Sequence, residues 1–273
     1  MYLRATTLPP PQLLPHEPYV SQSDLYRILN IPDLEKSDME HIIQSKEILA
    51  TASQGKLELL MRNPRFRNWL AAPSSAELLI HGNSVALHVS PLSLFCSMLV
   101  QNLERMHRFR TVVFFCGRHI ESSDPYAGGR GMIKSLIAQL LLQHTFDLSF
   151  CKPAFVALVE RGDISASCAL FAWLAGQMNK DVGLFCVIDG INFYEHGEYL
   201  DDMAVVLRSL LNQRQESGVH AAFKILVASP SITTDVRKAF HEQGILSMPA
   251  RPQKGQNISA LRFARHIEDC LKA

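Results

Sequence analysis

Charge is scarce in this sequence, and so is any long apolar run. Charged residues make up 19% of the 273 positions against 47% hydrophobic, and the net charge is +1. That balance supplies no field to draw nucleic acid or an acidic membrane surface. No stretch reaches the roughly 18 uncharged apolar residues of a membrane span. The opening MYLRATTLPPPQLLP breaks into prolines before a signal-like segment builds. Paired cysteine spacing is missing too. Cys96, Cys116, Cys151, Cys168, Cys186 and Cys270 mostly sit inside apolar stretches such as LFCSMLV and LFCVID, which excludes a disulfide scaffold. Buried, reduced thiols and a cytoplasmic location are expected. No repeat at solenoid periods is present.

What remains is a globular chain with enough apolar residues for a substantial core. Residues 1–20 hold Pro9, Pro10, Pro11, Pro15 and Pro18 and read as an extended tail. Residues 21–70 turn helical. Ser37 with Glu40 reads as a capping box ahead of Met39, Ile42, Ile43, Ile48 and Leu49, residues 56–62 as a short helix, and PRFRNWL as a lead into the sheet. Residues 71–273 then alternate. Strands are expected at 77–81, 111–116, 184–189, 224–228 and 245–248. Helices are expected from Ser90-Pro91 to about 106, then at 132–144, 152–161, 165–179, 199–215 and 258–271. Such alternation implies an α/β fold, a mostly parallel sheet with helices on both faces, preceded by a short helical region.

The stretch GLFCVIDGINFYE, residues 183–195, stands out. Its apolar run reads as a fully buried strand ending at Asp189, with Gly190 allowing a turn. Ligands of open α/β sheets collect outside the carboxyl ends of strands, so Asp189 is either part of a site or simply an acid in a turn.

Taken in order, FRNWLAAPSSAELLIHGN, TVVFFCGRH, GMIKSLIAQLLLQ, LFCVIDGINF, KILVASPS and NISALRFARHIEDCL resemble the P-loop NTPase module of NACHT-type (STAND) signalling ATPases, of the fungal NLR-like and nephrocystin-like N-terminal type. The resemblance covers about residues 66–271. It implies a phosphate loop after the first strand, a Walker B acid at Asp189 that would hold Mg²⁺, and a sensor position at Ser229. Full members of the class carry an effector domain before the module and a helical arm with repeats after it.

The departures bear on function. A phosphate loop has the form GxxxxGK[ST], whose backbone N–H groups cradle phosphates while the lysine reaches the β and γ positions. Counting from Gly82, through Asn83 and Ser84, places Leu87, His88 and Val89 at the Gly, Lys and Ser/Thr places. No lysine occurs between Lys56 and Lys134, so no shift of frame restores the cation. Ser90 is either a late stand-in for the magnesium-binding hydroxyl or a helix cap. Near the Walker B acid the family's further carboxylates fall at 191–194, where this chain offers Asn192, and an amide takes no proton from water. Ser229 is followed by Pro230 instead of the sensor arginine.

Three other patterns carry rival readings. His81 to Ala86 faintly matches a nucleophile elbow at Ser84, with Asp189 and His220 or His241 completing a serine hydrolase order. Cys116 and His119 resemble half a zinc site, but with no second pair at matching spacing they read as a buried thiol and a surface imidazole. Gly128, Gly129 and Gly131 around Arg130 read as a flexible loop able to meet an anion at a helix start.

The expectation is therefore a non-catalytic NACHT-like module that acts by protein contact, as a scaffold or regulatory remnant of an NLR-like signalling ATPase. The alternative is a nucleotide-gated switch that binds Mg-ADP or Mg-ATP weakly, and the serine hydrolase is third. No cofactor is required by the first reading. Partners are proteins, with self-association open.

Overall fold

The structure, a computed structural model, describes residues 20–45, 51–213, 221–250 and 259–272. The reading of residues 1–19 as a tail, and Ile48, Leu49 and His220, lie outside them. Four helices come first: α1 (Gln22–Leu29), α2 (Leu34–Gln44), α3 (Thr51–Arg62) and α4 (Pro64–Ala71). The alternating part follows as β1 (Ala76–His81), α5 (Pro91–Glu104), β2 (Phe109–Phe115), α6 (Gly128–Gln143), α7 (Pro153–Glu160), α8 (Ile164–Gly176), β3 (Gly183–Asp189), α9 (Leu200–Gln213), β4 (Ala222–Ser229), α10 (Asp235–Lys238), β5 (Ile245–Ser247) and α11 (Ala260–Lys272). The expected α/β class is what forms, with a five-stranded sheet in the order β2-β3-β4-β1-β5 and every pair parallel.

Strand alternation builds a core on each face. Leu79, Val112, Phe114, Cys186, Ile188, Ile225 and Val227 face α6, α8 and α9. Ile80, Val113, Phe115, Phe185, Val187, Leu226 and Ala228 face α5, α4 and α11. Helix α5 is almost wholly buried, from Leu92 to Leu103, which explains its nearly unbroken apolar sequence. No described helix is long and apolar enough to cross a membrane.

Three expected local features are corrected. Helix α2 begins at Leu34 behind Asp33, so Ser37 lies inside it and forms no capping box. PRFRNWL is itself helix α4, because Asn63 accepts from the Arg65 N–H at 2.9 Å and Pro64 takes a first-turn position. The glycine run is the first turn of α6, not a loop. A Cβ on Gly129 would lie 2.5 Å from the Asp202 backbone, and one on Gly131 would lie 1.8 Å from the Tyr126 carbonyl oxygen. These glycines serve close packing, and Arg130 pairs with Asp202 at 2.7 Å instead of waiting for an anion.

A buried lysine ties the helical region to the sheet. Lys224 in β4 is 3% exposed, and its Nζ donates to the Trp69 carbonyl at 2.6 Å and to the Ala72 carbonyl. Both oxygens belong to the end of α4, where helix carbonyls lack internal partners. Burial pushes this ammonium down to about 8. An unfolded lysine titrates near ~10.4, so from pH 8 to 10 the unfolded state binds more protons and stability should rise with pH. Urea unfolding at both pH values should show a gain on the order of 3 kcal/mol that Lys224→Met lacks; equal pH dependence in parent and variant would sink this.

Candidate functional site

The site is assembled at the carboxyl ends of β1, β3 and β4. Phe185 and Val187 face α5, and Asp189 continues that face of β3. Asp189 is 1% exposed and its Oδ1 has no hydrogen-bond partner. Burial pushes its carboxyl up to about 7, with the Ser93 hydroxyl and the Gly190 backbone opposing that rise, while the Gly190 N–H donates to the Ala228 carbonyl at 2.9 Å. Gly190, at φ 72°, turns the chain so sharply that its backbone approaches Gly117 N.

Two hydroxyls stand at the start of α5, those of Ser90 and Ser93, and that of Ser93 opposes the rise at Asp189. Ser90 is the buried N-cap of α5 and accepts from Ser93 N–H at 3.2 Å, while Ser93 Oγ accepts from Ser90 N–H at 3.0 Å. This capping box puts Ser93 on the first turn, aimed at β3. If Ser93 holds the Ser/Thr place of GxxxxGK[ST], Leu92 stands at the lysine place, Pro91 at the second glycine and Ala86 at the first. The frame counted from Gly82 ends at Val89, before the first residue of α5, so the two frames put different residues at the motif's places. Leu92 is 5% exposed, and its Cδ1 would lie 3.1 Å from a Cβ on Gly82.

Residues 82–90 are held by contacts of their own. Gly82 N–H donates to Ser229 O at 2.8 Å, and the Gly82 carbonyl accepts from Lys56 Nζ at 3.0 Å. Lys56, on α3, is a cation that sequence spacing could not bring here, and it is turned to the Gly82 and Asn83 carbonyls. Asn83, at φ 45°, donates its amide to Met248 O at 2.6 Å. The Ser84 hydroxyl donates to Pro230 O at 3.2 Å. The helix starts at Pro91, so no strand-serine-helix elbow exists at Ser84 and the hydrolase arrangement is overturned. His88 is exposed, with its ring edge-on to Phe193 at 5.5 Å, and its carbonyl lies 2.4 Å from where a Gly117 Cβ would be. The loop thus folds down onto Gly117. Three surface clefts of about 920, 530 and 380 Å³ are lined by none of Gly82, Ser93 and Asp189.

The remaining predicted residues form a second group. Ser229 donates to Asn192 Oδ1 at 3.2 Å and to Ser231 O at 2.7 Å, on the sheet face opposite Asp189. Glu195, which sequence reasoning passed over, is 5% exposed. Its carboxylate accepts the backbone N–H groups of Thr234, Asp235 and Val236 at 2.7 to 3.1 Å. That acid is committed to holding the start of α10. Among the described residues no group of three or more His, Cys, Asp and Glu side chains could hold a metal ion, and the surface imidazole expected at His119 is corrected, since it is buried like Cys116.

The family model described as Nephrocystin 3, N-terminal, matches residues 55–229. The chain belongs to the nephrocystin-3 N-terminal family. The match runs from the residue before Lys56 through Ser229, so every part of the site just described that precedes Pro230 lies within the nephrocystin-3 N-terminal unit, and helices α1 and α2 lie outside it. No curated protein matches the chain.

Proposed function

We propose that this nephrocystin-3 N-terminal module is a NACHT-like unit that does not turn over nucleotide and acts by protein contact, as a scaffold or regulatory part of an NLR-like signalling assembly. The observation that carries this reading is the absence of any lysine from residue 57 to residue 133, with Leu92 buried at the start of α5 and Lys56 turned to the Gly82 and Asn83 carbonyls. A charge-assisted hydrogen bond is worth roughly 1.5–3 kcal/mol, so an absent lysine weakens phosphate binding about 10- to 100-fold. Turnover suffers more, because base and arginine are missing as well. Asn192 and Glu195 are both engaged, and Pro230 follows Ser229.

Asp189 and Ser93 match the cation-holding half of a magnesium nucleotide site. The phosphate half is not matched, since Leu92 offers no charge, Lys56 is turned to carbonyls and the His88 carbonyl closes over Gly117. Contact with proteins is supported by Trp173, 44% exposed with its ring 4.3 Å from that of Phe150, a residue type that anchors interfaces. Self-association is one form such contact takes. Six buried, unpaired thiols support a cytoplasmic setting.

One observation favours the second reading, a nucleotide-gated switch: the unpartnered, buried Oδ1 of Asp189. Thermal melts with Mg²⁺ and ATP, ADP or GTP, beside Asp189→Ala and a phosphate-release assay, separate the two. No nucleotide should raise the melting temperature, and release should stay at background. A ligand at one hundred times its Kd stabilises by about 2.7 kcal/mol, so a rise of several degrees that Asp189→Ala loses would establish the switch.

A further inference from the structure

His119 lies at the joint between the helical region and the roof of the Asp189 site, and it is bound from both sides. It is 6% exposed. Its Nε2 is 2.9 Å from Asp38 Oδ2, on α2, and its Nδ1 is 2.7 Å from Asp124 Oδ2. Asp38 is 5% exposed and takes a further contact from Arg118 Nε at 3.3 Å. Around the ring stand Phe114 at 5.2 Å, Tyr126 edge-on at 6.3 Å and Tyr194, whose hydroxyl donates to the His119 carbonyl at 2.8 Å. Cys116, three residues back, is a buried thiol that burial holds protonated. The titratable and charged neighbours are thus two carboxylates, one guanidinium, two phenols and a thiol.

Hydrogen-bond chemistry decides what this arrangement needs. A neutral imidazole has one N–H and one bare lone pair, so it can satisfy only one of two flanking carboxylates and turns a lone pair toward the other. An imidazolium donates to both. Residues 116–119 also carry Gly117, against which the His88 carbonyl and Gly190 sit. The side chain of His119 therefore reaches α2, while its backbone neighbourhood reaches the loop and the turn that close over Asp189.

We propose that Asp38, His119 and Asp124 form a proton-operated latch, which fastens α2 to the roof of the Asp189 site when the imidazole is charged and loosens α2 when it is neutral. Burial opposes the charged ring, but the hydrogen bonds and charges of Asp38 and then Asp124 outweigh it and raise its pKa. The contribution to docking is then complete below the ordinary histidine range and is lost as pH rises through the raised value. The latch requires no nucleotide, so it stands apart from the functional reading above.

Hydrogen exchange of the full chain at pH 6 and pH 9, corrected for intrinsic exchange chemistry, tests this. Protection of α2 should fall about tenfold for each pH unit by which the pair raises the imidazole, while protection of β3 holds. His119→Gln keeps one donor and cannot titrate, and Asp38→Asn removes the one carboxylate of α2 bonded to the ring. Each should show α2 already loosened at pH 6, with no step between the two pH values. A parent without the step, or a step that survives in either variant, overturns the latch. Should His119→Gln not fold, Asp38→Asn alone decides between these results.

Discussion

Asp189→Asn should melt higher than the parent at pH 8, with the advantage gone below pH 5. The acid is 1% exposed, one oxygen has no partner, and burial pushes it up to about 7. An unfolded aspartate titrates near ~3.9. The folded state thus holds this proton more tightly than the unfolded one, so stability falls as pH rises from about 4 to about 7. The full difference is of the order of 4 kcal/mol. An amide in the same place removes the charge but adds an N–H₂ that wants partners, which takes back roughly 1–3 kcal/mol. A net gain of one to a few kcal/mol moves the melting point by roughly 2–4 °C for each kcal/mol in a chain of this size. A variant that melts lower than the parent at pH 8 would mean that Asp189 is ionised and paired, and the burial argument would fall.

Glu195→Ala should be among the most damaging single changes outside the apolar core. Its carboxylate is the shared acceptor of the Thr234, Asp235 and Val236 N–H groups, and Val236 is 2% exposed. The Val236 N–H is the fully buried one of these donors, and a buried donor left without a partner costs about 1–3 kcal/mol, so a loss of roughly 1–3 kcal/mol is expected in urea unfolding. Glu195→Gln keeps one acceptor oxygen and should recover part of it. If Glu195→Ala instead leaves stability unchanged while removing a phosphate-release activity, Glu195 is a catalytic base and the non-hydrolysing reading is wrong.

The two variants also separate two kinds of carboxylate that look alike in sequence, since both stand in the stretch from Gly183 to Glu195. Asp189 ends a buried strand, where no backbone donor row lies open to it beyond Gly190. Glu195 reaches a short helix start forty residues on. Nothing in the local pattern distinguishes an acid with three donors from one with almost none.

The elements themselves were legible, because alternation and helical periodicity are local and the strands from β1 to β4 are dense in Val, Ile, Leu and Phe. The ends were less so. Helix α6 starts four residues earlier than its apolar run, at Gly128 instead of Met132, because glycine there serves contact with Asp202 and Tyr126, and composition alone reads glycine as loop. The start of α5 was legible as an N-cap Ser90 with Pro91, yet the second member of its capping box, Ser93, was not.

The sequence by itself determined the α/β class, the buried strand ending at Asp189, and the absence of any lysine from residue 57 to residue 133, since composition and short-range period need no partner. Tertiary structure alone decided that Lys56 turns to the Gly82 carbonyl, and that Glu195 and His119 find donors and acceptors far along the chain. Those pairings depend on loop length and on the direction each side chain leaves its element. Both are settled only when the two cores close on either face of the sheet.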